Sequence, residues 1–206
     1  MNLPTKITFS RIIAIVLLII TLFVMSLIPD LVFYPIGNSG INPFYLGVFG
    51  FFLLASYTDH LDGHLARKNN QITDLGKFLD PVADKLLINS LVIFLIVPAK
   101  YAPGQMSFNI WCAIILVARD IVVDALRFIA AQKGTVIAAN IFGKMKTVLE
   151  MVAISFVLLN GWPFTYFDAS WPVRIADIFV YLATAISVLS GIIYVVQNKH
   201  VFKEKK

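Results

Sequence analysis

The chain has little that could cross-link it and little that could keep it in water. It carries a single cysteine, Cys112, in 206 residues, so no intrachain disulfide can form. Cys112 sits in an apolar run and is expected simply to pack. Charged residues make up 14% of the sequence, against about 25% in an ordinary soluble domain. No internal repeat and no low-complexity stretch interrupts the chain. The basic N-terminus and the apolar run after it look like the start of a signal peptide. No small-residue cleavage site follows, however; Pro29-Asp30 does. The run is therefore expected to be a retained helix.

What is present is apolar. Hydrophobic residues reach 59%, with a mean hydropathy of +0.82, where soluble domains average about 45–50%. The expected fold is an all-α integral membrane protein, one domain over residues 1–206. Six apolar runs stand out, at about 12–28, 42–67, 75–97, 108–131, 139–159 and 172–196. Each approaches or exceeds the ~20 residues that a hydrocarbon core requires. Six spans put both termini on one side. Lys100 and Arg174 are the only basic residues in the three outer loops; all the others fall at the N-terminus, at the opposite loops and nearby helix ends, or in the tail. That asymmetry predicts cytoplasmic termini. The net charge of +5 then reads as attraction to anionic lipid rather than to nucleic acid. The basic tail either touches head groups or only fixes topology.

Against this background, the stretch from Tyr57 to Lys85 is conspicuous for four aspartates, Asp59, Asp62, Asp80 and Asp84. Asp59 and Asp62 are three apart, and Gly63 and Ala66 continue their row. Gly76, Asp80 and Asp84 repeat the idea at one-turn spacing. On helices, each set forms one stripe of carboxylates beside residues with almost no side chain. Four like charges repel strongly at low dielectric unless cations neutralise them. Oxygen ligands alone suit hard cations, Mg²⁺ or Mn²⁺. Two such ions held by shared carboxylates serve in-line displacement at phosphorus. Gly63, Ala66 and Gly76 would admit a bulky ligand close to the backbone, and Arg67 could grip a phosphate. His60 and His64 have a chelating spacing but are better read as helix-edge residues near head groups.

The other ionisable residues of the spans share one depth. Thr8 and Arg11 lie at the inner start of span one. Arg119, Asp120, Asp124 and Arg127 occupy the inner half of span four, and Lys144, Lys146 and Glu150 the inner start of span five. The outer halves are nearly free of charge. One polar cavity open to the cytoplasm is expected, not a path through the bilayer. At ~100° per residue, the four charged residues of span four share one sector, so some must pair with each other. For Arg119 and Lys144, substrate-phosphate binding and structural salt bridges both remain open. For Arg127 and Lys146, pairing or topology is the expectation.

The gapped pattern Asp59-x-x-Asp62-Gly63-x-x-Ala66-Arg67, then Gly76-x-x-x-Asp80-x-x-x-Asp84, resembles the signature of the CDP-alcohol phosphotransferase family, with each fixed position matched. Pro4, Thr8 and Arg11 resemble the family's opening, although Thr5 stands where Asn is usual. Arg119-Asp120 and the run Gly143 to Thr147 resemble the branch whose acceptor is glycerol 3-phosphate. That branch usually has Arg-Glu where this chain has Arg119-Asp120. The resemblance implies transfer of a phosphatidyl group from CDP-diacylglycerol to glycerol 3-phosphate, with release of CMP. It implies two divalent cations on Asp59, Asp62, Asp80 and Asp84, with Asp84 as the base. Gly63, Ala66, Arg67 and Gly76 would bind the donor. Arg119 and Lys144, with Thr8 and Arg11, would bind the acceptor's phosphate. A homodimer in the cell membrane is implied as well. Within the family the alternatives are inositol phosphate, serine or phosphatidylglycerol as acceptor. Outside it stands a divalent-cation transporter, which the charge-free outer halves disfavour.

Overall fold

The computed structural model describes residues 3–28, 32–37, 40–68, 74–97, 102–134, 137, 141–168 and 170–199. Among these residues the regular structure is helical. The helices are α1 (Leu3–Leu27), α2 (Pro43–Lys68), α3 (Asp74–Phe94), α4 (Ile110–Gln132), α5 (Ile141–Leu158), the short α6 (Thr165–Asp168) and α7 (Ile175–Gln197). The six long helices coincide with the six apolar runs. Two differences have clear causes. Helix α1 begins at Leu3 and not at Ile12, because Thr5, Thr8 and Arg11 of its polar start are buried against neighbouring helices. The one-turn α6, which hydropathy does not reveal, ends in Asp168, whose Oδ2 accepts from the Ile175 N–H at 2.8 Å and so caps α7. The tail from residue 200 and Lys100 lie outside the described residues.

The chain forms two compact units, Met1–Ser107 with Leu158–Pro163, and Phe108–Val157 with Phe164–Lys206. In the first unit, α1 packs on α2 and α3, and α2 on α3. The contact faces follow steps of three, four or seven residues, the spacing of a helix stripe. Tyr45, Val48, Phe52 and Ala55 are buried on α2, Ala83, Leu87 and Leu91 on α3 with Leu95 just past its end, and Ile15 and Leu22 on α1. Tyr45 stacks on Phe94 with ring centroids 5.8 Å apart. Asn42 starts α2, its Oδ1 accepting from Phe44 N–H at 3.0 Å. Asn160 joins two loops of this unit: its Nδ2 donates to Gly40 O at 2.9 Å, and its Oδ1 accepts from Met106 N–H at 2.8 Å.

In the second unit, α4 packs along α7. Asn109 caps α4, its Oδ1 accepting from Trp111 N–H at 2.9 Å and Cys112 N–H at 3.3 Å. Cys112 is buried, as expected. The α7 face toward the core is small apart from Tyr194: Ala176, Val180, Ala183, Thr184, Ser187 and Ser190 are buried there with it. Small residues let helix backbones approach, which matters where lipid removes the hydrophobic drive between helices.

Two helices, Thr5–Leu27 and Ile175–Gln197, are long and apolar enough to cross a membrane. Only 22% and 33% of their apolar windows are buried, so these are not helices enclosed in a soluble core. Ile13, Leu17, Ile20 and Val24 on α1, and Ile178, Leu182, Leu189, Ile192 and Val196 on α7, are exposed. Helices apolar on both inner and outer faces belong in lipid.

Candidate active site

The site of the first unit grows out of its core stripes. On α2, the buried positions 45, 48, 52 and 55 continue to 59, so Asp59 falls on the same stripe at the helix's last turns. On α3, the stripe through 87, 91 and 95 begins at Asp80 and Asp84. On α1, Thr8 and Arg11 precede Ile15. Three helices that alternate in direction therefore gather their polar ends at one end of their common core. The apolar part of each stripe holds the helices together, and the polar part is carried into register with it.

Side-chain contacts follow. Thr8 Oγ1 donates to Asp80 Oδ1 at 2.9 Å. Arg11 Nη1 donates to Asp59 Oδ1, and its Nη2 lies 3.8 Å from Asp84 Oδ1. One guanidinium from α1 thus faces a carboxylate on α2 and another on α3. The Arg11 side chain is 4% exposed, while Asp59 and Asp84 remain 35% and 51% exposed. The cation is enclosed, and the carboxylates open outward. Thr8 and Arg11, which the resemblance assigns to the acceptor's phosphate, are thereby placed against the carboxylates.

Asp62, Gly63, Ala66 and Arg67 lie within α2, but their side chains are outside the described residues, as are those of His60 and His64. Gly76 lies in α3, half-buried. Among the described residues, no three acids, histidines or cysteines close into a metal-binding group. The acids that are described offer only hard oxygen donors, on two helices at one end of a bundle. This donor set fits Mg²⁺ or Mn²⁺ and does not fit a soft metal.

The second unit holds a separate polar cluster. Lys146 Nζ on α5 donates to both carboxylate oxygens of Asp120 on α4, each at 2.8 Å. It also lies 2.5 Å from Glu150 Oε2, one turn along α5. Asp120 further accepts from Arg119 Nη1 at 3.1 Å. Lys146, Asp120 and Glu150 are buried, so the pairing expected for Lys146 is found. Arg119 also reaches α7, with Nη2 donating to Ser190 Oγ at 2.6 Å. Arg127 Nη2 donates to Tyr194 Oη at 2.7 Å, and its guanidinium carbon stands 5.2 Å from that ring's centroid. Lys144 is exposed on α5.

Sequence reading missed α7's share in this cluster. The signal was present: Ser187, Ser190, Gly191 and Tyr194 recur at i, i+3, i+4 and i+7 in an otherwise apolar helix. Small and hydroxyl residues on one stripe mark a helix-packing face in lipid.

The first unit is thus a bundle of apolar helices whose polar ends converge on carboxylates, a frame that can serve a membrane-bound transferase. The family model described as CDP-alcohol phosphatidyltransferase matches residues 1–193, and the chain belongs to this family. It is 38% identical over 202 residues to the protein of Bacillus subtilis named CDP-diacylglycerol--glycerol-3-phosphate 3-phosphatidyltransferase, covering 98% of this chain and 97% of that one. A protein of Rickettsia bellii with the same name is 33% identical over 195 residues, covering 94% and 93%. One from Mycoplasma pneumoniae, again with that name, is 37% identical over 162 residues, covering 75% and 67%.

Proposed function

We propose that the protein transfers the phosphatidyl group of CDP-diacylglycerol to sn-glycerol 3-phosphate, giving phosphatidylglycerophosphate and CMP. The observation that carries the chemistry is the convergence of Asp59, Asp80 and Asp84 at one end of α1–α3, around Arg11 and Thr8. The names of the relatives, which cover nearly the whole chain, support this acceptor.

In this reading, Asp59, Asp62, Asp80 and Asp84 hold two divalent cations, Mg²⁺ or Mn²⁺. Bound there, the cations supply charge neutralisation for the pyrophosphate and for departing CMP. Thr8 and Arg11 hold the carboxylates in place, a role we prefer for them over phosphate contact. Metal ligands are commonly oriented by a second hydrogen-bonded partner of this kind. Asp84, half exposed, is the group we assign as general base. It takes the proton of the acceptor hydroxyl as that oxygen attacks the phosphorus bearing diacylglycerol. The bond from that phosphorus to the bridging pyrophosphate oxygen breaks, and CMP leaves. Gly63, Ala66 and Gly76 give the cytidine room, and Arg67 holds donor phosphate. Arg119 and Lys144 are assigned to the acceptor's phosphate.

We further propose that the six long helices all span the cell membrane, with termini and acidic site cytoplasmic, and that the enzyme is a homodimer. The charge asymmetry of the loops supports the orientation. A lipid donor then enters from the membrane and a water-soluble acceptor from the cytoplasm.

The test is CMP release from CDP-diacylglycerol by the purified protein, with Mg²⁺ or Mn²⁺. Glycerol 3-phosphate, glycerol, serine, phosphatidylglycerol and inositol 1-phosphate are added separately. Release with glycerol 3-phosphate alone, abolished by chelator, is the expected result. Release with a different alcohol would replace the acceptor and keep the chemistry. No release from folded protein with any of them would overturn the reading.

A further inference from the structure

Arg119 in the second unit is held by contacts on two helices. Its side chain is 13% exposed. Nη1 is fixed to Asp120 on its own helix at 3.1 Å, and Asp120 is in turn clamped by Lys146. The other constraints come from α7. Ser190, fully buried, accepts from Nη2 at 2.6 Å. The Tyr194 ring lies 5.8 Å from the guanidinium carbon. Gly191 lies between these two contacts along the chain. A Cβ added there would stand 3.1 Å from Arg119 Cγ and 3.8 Å from its Nε. The stem of Arg119 therefore occupies the space that a side chain at position 191 would take.

This seat leaves part of the guanidinium unused. Nε is buried and has no hydrogen-bond partner among the described residues. A planar guanidinium carries its donors in a rigid fork. A buried N–H without a partner costs free energy unless something outside the protein chain accepts it. The guanidinium is held from α4 and α7 while 13% of the side chain stays exposed, so its orientation is already fixed when an anion meets that exposed edge.

We infer that Ser190, Gly191 and Tyr194 of α7 are positioning residues that set Arg119 for the phosphate of the acceptor. The inference rests on the assignment of Arg119 to that phosphate. It adds that α7, a helix whose stripe carries no charge at these positions, tunes how tightly the phosphorylated acceptor is held. Ser190 directs one arm of the guanidinium, the Tyr194 ring limits its tilt, and Gly191 sets how close the stem comes to α7.

The test uses the full-length enzyme in detergent with Mg²⁺ and three variants, Ser190→Ala, Gly191→Ala and Arg119→Ala. KM is measured for each substrate, with kcat and the apparent Tm. Ser190→Ala removes a hydrogen bond to a charged group and should raise KM for glycerol 3-phosphate about tenfold. Gly191→Ala displaces the stem by a few tenths of an ångström and should raise it roughly three- to tenfold. In both, kcat and KM for CDP-diacylglycerol should stay within about twofold of the parent. Ser190→Thr, which restores the hydroxyl, should recover much of the loss. If Arg119→Ala raises the acceptor KM while Ser190→Ala and Gly191→Ala do not, α7 has no positioning role and the Arg119 assignment survives. If Arg119→Ala leaves the acceptor KM unchanged, that assignment fails and this inference with it. A fall in kcat or Tm with both KM values unchanged would make the α7 stripe a packing element and overturn the proposal.

Discussion

Replacing Arg11 by methionine should loosen the first unit and make its stability depend on divalent cations. Methionine keeps much of the buried volume and removes the charge that faces Asp59 and Asp84. Breaking a fully buried ion pair from one side costs about 3–5 kcal/mol. Here the carboxylates are 35% and 51% exposed, so water recovers part of the loss, and we expect about 1–3 kcal/mol. For a chain of this size, one kcal/mol shifts Tm by about 2–4 °C. The apparent Tm of the variant in detergent and chelator should therefore fall by about 2–12 °C. Without Arg11, Asp59 and Asp84 have lost a counter-ion, and divalent cations are the natural replacement. Adding Mn²⁺ or Mg²⁺ should raise Tm more in the variant than in the parent. Asp59→Asn combined with Arg11→Met should cost less than the two singly, because the unpaired charge is gone. An unchanged Tm in chelator would show that Arg11 does not hold α1 to α2 and α3. A fall that no cation repairs would refute the reading of these acids as a metal site.

Further outcomes are expected at other positions. Asp84→Asn should lower CMP release by roughly 10²–10⁴-fold, the usual worth of a positioned base, while CDP-diacylglycerol still binds with metal present; near-normal turnover would remove Asp84 as the base. Lys146→Met strands the buried carboxylates of Asp120 and Glu150 and should cost about 3–5 kcal/mol, read as a lower Tm. Adding Glu150→Gln should recover part of that loss, and a single variant as stable as the parent would mean that the cluster contributes no ion pairing. Asn160→Ala removes hydrogen bonds to Gly40 and Met106 and leaves a non-glycine residue at φ 56°, for a loss of about 2–3 kcal/mol; equal Tm values would show that this loop contact is not stabilising.

Much of the fold could be read before any coordinates. The six apolar runs became the six long helices because helix length in this chain is set by where polar and turn-forming residues interrupt it. Asp59, Asp62, Asp80 and Asp84 are picked out by the energetic cost of placing like charges in an apolar chain, and the structure brings Asp59, Asp80 and Asp84 to one end of a bundle; the side chain of Asp62 lies outside the described residues. The second unit was less legible. Spacing on one helix shows that Arg119 and Asp120 share a sector, but it cannot say which partner reaches in from another helix. Arg11 was also assigned differently, because a lone arginine at a helix start looks the same in sequence whether it faces a substrate or a carboxylate.

The sequence alone therefore determined the helical, membrane-embedded class, the number and approximate positions of the long helices and the acidic pattern, all of which depend on local periodicity and composition. The tertiary structure decided the pairings between helices. It set Thr8 and Arg11 of α1 against the acids of α2 and α3. It joined Lys146 of α5 to Asp120 of α4, and it made Ser190, Gly191 and Tyr194 of α7 the seat of Arg119. The physical reason is that a helix's own period fixes which residues share its face, whereas the neighbour that face meets depends on how all the helices pack.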